Sequence, residues 1–81
     1  MKKEYVVIQN TYYYSTFTHT SYGIALAELS DDIPVVLQSV PDISKNREKV
    51  QMITDCFNKH GLDPIHFMEA IYVFIELYIT P

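Results

Sequence analysis

Cys56, His60, Asp63 and His66 are the side chains of this chain best suited by type to hold zinc or activate a thiol. Cys56 and His60 lie four residues apart, which puts both on one face of a helix. A tetrahedral zinc site needs four ligands converging on one point. His66 follows Pro64 and would have to turn back across a proline-started helix to join them. The spacing fits no standard zinc pattern, so each residue is read singly: Cys56 on a core flank, His60 at a helix end, His66 beside a cap. As a nucleophile, Cys56 would sit mid-helix among apolar neighbours, a setting that does not favour the thiolate. No third group stands ready to orient His60. Glu69 and Glu76 lie about 10 Å apart along a helix axis, but nothing near them marks a sugar cleft. Gly23 and Gly61 are the only glycines, so there is no phosphate-cradling loop. The expectation is a chain with no catalytic residue, no metal and no cofactor.

The tyrosines point elsewhere. Tyr12, Tyr13 and Tyr14 are consecutive, and neighbours on a strand alternate sides, so at least one faces away from any helix layer. Together with Tyr5 and Tyr22 they are expected to form an aromatic surface on an uncovered sheet face. Tyrosine suits places where one end of a side chain is dry and the other wet. Tyr72 and Tyr78 stand in an apolar segment near the C-terminus. Tyr12, Tyr13, Tyr14, Tyr72 and Tyr78 are therefore the expected interaction surface.

The elements that must position these residues divide the chain into two halves. Residues 4–17 have strand composition, rich in Tyr, Val, Ile, Thr and Phe, with a bulge or break expected at Asn10-Thr11. Thr16 to Ser21 reads as a hairpin loop. Tyr22 to Leu29 places Tyr22, Ile24 and Leu26 on one face and Gly23, Ala25 and Ala27 on the other. That second, small-residue set would let a helix approach closely. Ser30-Asp31-Asp32 is a turn, and Ile33 to Val40 a third strand, with Pro34 marking an edge. The second half is helical. Ser44 is placed to cap a helix over 44–60, with Val50, Ile53 and Phe57 on its apolar face and Gly61 just past its end. His60 would sit at the negative end of that helix dipole. Leu62-Asp63-Pro64-Ile65 then gives a cap, a proline at the first helical position and a Leu62–Phe67 staple, opening a helix over 63–79. The fold expected is α+β, a three-stranded antiparallel β-meander over 1–40 followed by an antiparallel helix pair on one face, β-β-β-α-α, in a single domain of residues 1–81.

Composition bounds the rest. The chain has 81 residues, 48% of them hydrophobic, with 6 Lys plus Arg against 10 Asp plus Glu, a net charge of −4. That is too mild for an acidic disordered tail and the wrong sign for a general nucleic-acid binder. No Lys or Arg falls in residues 11–44 or 60–81. Bases stacked on the strand tyrosines would therefore find no cation to hold their phosphates. The basic cluster at Lys45 to Lys59 reads as a solvated helix surface with an Asp55–Lys59 pair. The apolar patch after Lys2-Lys3 is four residues long, short of an export signal, and a lone cysteine fits a reducing compartment, so a cytoplasmic location is expected. Fifteen helical residues, Ile65 to Ile79, rise only about 22 Å against a hydrocarbon core of about 30 Å, so no membrane span is expected.

The order of short motifs resembles a family of small bacterial proteins known as a domain of unknown function. The residues that carry the likeness are Tyr22-Gly23-Ile24, Ile43-Ser44 and Leu62-Asp63-Pro64 followed by His66, with Glu69, Ile71 and Phe74 beyond, over about residues 5–75. Tyr72-Val73 departs from the acidic pair that the resemblance implies. The likeness brings with it no activity, cofactor or catalytic residue.

At about 100° per residue, His66, Glu69 and Glu76 fall in one narrow sector of the second helix. The apolar remainder covers roughly two-thirds of the circumference, wider than the stripe of an ordinary surface helix. Part of it must meet the first helix, and the surplus predicts a partner. The leading expectation is a non-enzymatic module that self-associates as a homodimer. Two alternatives stand beside it: an acidic regulator or inhibitor of another macromolecule, and a small metal- or thiol-dependent enzyme.

Overall fold

The computed structural model describes residues 2–30 and 33–79. Three strands, β1 (Lys2–Tyr13), β2 (Thr18–Leu29) and β3 (Val35–Ser44), form one antiparallel sheet in the order β1-β2-β3. Helix α1 (Arg47–His60) follows, then a 3-10 turn (Pro64–His66), helix α2 (Phe67–Phe74) and a π turn (Ile75–Ile79). The β-β-β-α-α order is as expected. Of the expected turn at 30–32, Asp31 and Asp32 lie outside the described residues.

β1 and β2 pair without interruption from Lys2↔Leu29 to Tyr13↔Thr18, so Asn10-Thr11 makes neither break nor bulge. The hairpin loop is Tyr14–Phe17, earlier than expected, closed by Tyr14 N–H donating to the Phe17 carbonyl at 2.9 Å. β3 begins opposite Glu28 and ends opposite Tyr22, so from Thr11 to Thr20 the hairpin runs on with no third strand beside it among the described residues. This projection stretches the molecule to 43 × 32 × 19 Å.

β3 is irregular at two places: Leu37 is left unpaired between Ala27↔Val36 and Leu26↔Gln38, and a longer bulge follows. Between the pairs Ile24↔Val40 and Tyr22↔Ser44, one residue of β2 faces three of β3. The extra length of Pro41–Ile43 bulges over Gly23, where a Cβ would sit inside the Val40 carbonyl oxygen and 2.7 Å from Pro41 Cα. Glycine is required here by close backbone approach. Asn10 Nδ2 donates to the Pro41 carbonyl and fixes the bulge from β1. Gly23 thus makes room for the backbone of β3, where the small residues of β2 were expected to admit a helix. The helices instead cover the other face, where Tyr5, Ile24, Leu26 and Ile43 pack with Val50, Ile53, Phe57, Phe67 and Ile71. Ala25 and Ala27 are buried between flanking strands, opposite Val6 and Ser39, and Glu4 and Val36.

The extended strand shifts the helix start. Ser44 ends β3, and the cap of α1 is Asn46, whose Oδ1 accepts from Lys49 N–H at 3.2 Å. Ser44 Oγ accepts from Asn46 N–H at 3.0 Å, so it holds the cap without being it. α1 ends as expected. Gly61 takes φ 60°, with its N–H and that of Leu62 returning to the Asn58 and Phe57 carbonyls. Asp63 Oδ1 accepts from Ile65 N–H at 3.0 Å, and Pro64 opens the next turn.

The second helical segment changes its winding twice, where a uniform helix over 63–79 was expected. Phe67 and Ile71 are buried, and Ile75 and Ile79 pack on the same core. In an α-helix each step of four residues overshoots a turn by about 40°, so the fourth of these would drift well away from the first. The wider π winding at Ile75–Ile79 reverses that drift and keeps Ile79 facing inward.

Candidate interaction surface

Tyr5 sets the position of both helices on the sheet. Its ring lies 5.4 Å from Phe57 in an edge-on arrangement and 5.2 Å from Phe67, and Phe57 meets Phe74 at 5.3 Å. Its backbone N–H donates to Asn58 Oδ1 and its carbonyl accepts from Asn58 Nδ2, both at 2.8 Å. The Asn58 amide thus occupies the place a neighbouring strand would take at the edge of β1. The Tyr5 hydroxyl donates to the Leu62 carbonyl at 2.8 Å. Burial pushes this hydroxyl above its ordinary value, and Asp63 adds in the same direction. Tyr5 and Tyr22 are therefore core or core-packed residues and do not belong to an outward aromatic surface.

Tyr12, Tyr13 and Tyr14 stand at the projecting end of the hairpin, and all three are exposed, Tyr13 at 80%. Tyr14 stacks on Phe17 at 4.8 Å and Tyr12 lies 5.9 Å from His19. They form a separate aromatic tip, held away from the helices.

Tyr72 and Tyr78 belong to a different and wider surface. α1 shelters Phe67, Ile71 and Phe74 of the second helical segment, but Ile65, Met68, Tyr72, Val73, Leu77 and Tyr78 remain exposed. Ile65 is 80%, Leu77 66% and Tyr72 64% accessible. Tyr78 stacks on Phe74 at 5.5 Å, which ties the exposed ring to the core behind it. An open depression of about 290 Å³ is lined by His66, Glu69, Ala70, Val73 and Phe74. On its rim His66 Nδ1 lies 3.6 Å from Glu69 Oε2. Part of the wide apolar perimeter expected of this segment is thus left exposed in the single chain.

The remaining candidates stay apart. Cys56 is a half-buried free thiol on the flank of α1. Among the described residues, no three His, Cys, Asp or Glu side chains converge as metal ligands, and no helix is long and apolar enough to cross a membrane. Asp55 accepts from Gln51 Nε2 at 2.9 Å, in place of the expected pairing with Lys59. One surface escaped the sequence reading. Val35, Val36 and Leu37 are exposed in succession on β3, at the sheet edge. The signal was present in the uncharged run Ile33–Pro41.

The chain belongs to the family of unknown function DUF6514, whose model matches residues 1–76. No curated protein and no solved structure matches it. The three motifs that carry the likeness have structural work to do. Gly23 admits the β3 bulge, Ile43-Ser44 joins the core to the α1 cap, and Asp63-Pro64 starts the second helical segment.

Proposed function

We propose that this member of the family is a non-enzymatic interaction module that self-associates through the exposed apolar side of its second helical segment. The observation that carries the reading is the set Ile65, Met68, Tyr72, Val73, Leu77 and Tyr78. Scaled by their exposures, these six residues offer on the order of 700 Å² per copy, against roughly 800 Å² per partner in a standard stable interface. Exposed apolar patches of this size mark contact sites on soluble domains. Glu69 and Glu76 are exposed on the same side of the segment and are the polar groups that such a contact has to accommodate.

Light scattering across a micromolar concentration series tests the reading. A dimer is expected, and Tyr72→Glu is expected to weaken it at least tenfold, because a carboxylate would be desolvated at the centre of the contact. A chain that stays monomeric at every concentration removes the proposal.

A further inference from the structure

We draw no further inference here: the strongest candidate, the exposed aromatic patch of Tyr13, Tyr14 and Phe17 at the projecting end of the β1–β2 hairpin, is an unpartnered apolar surface, and nothing in the structure shows what covers it.

Discussion

Replacing Asn58 with Ala removes the one side chain that pairs with both backbone groups of Tyr5 across 53 residues of sequence. Each bond is 2.8 Å long. A net contribution of about 1 kcal/mol per bond gives a loss of about 2 kcal/mol, with partial access of water to the strand edge keeping the cost below that of two fully orphaned groups. In a domain of this size that loss lowers the thermal midpoint by about 8–16 °C. The measurement is a thermal and a urea melt of wild type and Asn58→Ala at one fixed protein concentration, because association raises the apparent midpoint. The urea slope is expected to stay unchanged. Asn58→Leu separates the causes: it restores bulk without hydrogen bonds and is expected to be no more stable than Asn58→Ala. An Asn58→Ala chain within about 0.5 kcal/mol of wild type, or an Asn58→Leu chain that recovers the loss, would refute the view that this amide stands in for a strand.

Two further outcomes follow from the same framework. Gly23→Ala drives a Cβ into the Val40 carbonyl and Pro41, both backbone, and is expected to cost at least about 2 kcal/mol in a urea melt, whereas a silent substitution would mean the bulge can lift off β2. The raised Tyr5 hydroxyl means the folded chain holds that proton more tightly than the unfolded one, so its contribution is complete below about pH 10 and fades as pH climbs through the folded value. Tyr5→Phe is expected to cost about 1 kcal/mol at neutral pH through the lost bond to Leu62 and to flatten the alkaline fall, read from melts between pH 8 and 11.

Local chemistry was legible where a residue acts on its own neighbours. Gly61 in a left-handed turn, Asp63 accepting from Ile65 N–H and Pro64 at the first helical position are settled within a few residues, and all three are where their types require. The width of the apolar surface on the second helical segment was legible too, because periodicity counts every residue around a helix. What escaped depends on distant chain. Pro41 looks like the end of a strand until Gly23, 18 residues earlier, is seen to leave room for a bulge. Ser44 and Asn46 are both good caps, and only the continuation of β3 decides between them. Tyr5 has the composition of any strand tyrosine, and its burial depends on Phe57, Asn58 and Phe67, more than fifty positions away. The π turn answers to a core position, Ile79, that no local preference encodes.

The hairpin's free end has a consequence for how this chain can vary. Beyond Asn10 each residue of β1 answers to one of β2 alone, and side chains alternate faces, so the projection can lengthen or shorten only by matched pairs. Such changes leave the bulge, the helix caps and the aromatic core untouched. The tip bearing Tyr13, Tyr14 and Phe17 is thus an arm whose length is independent of the packing of the body.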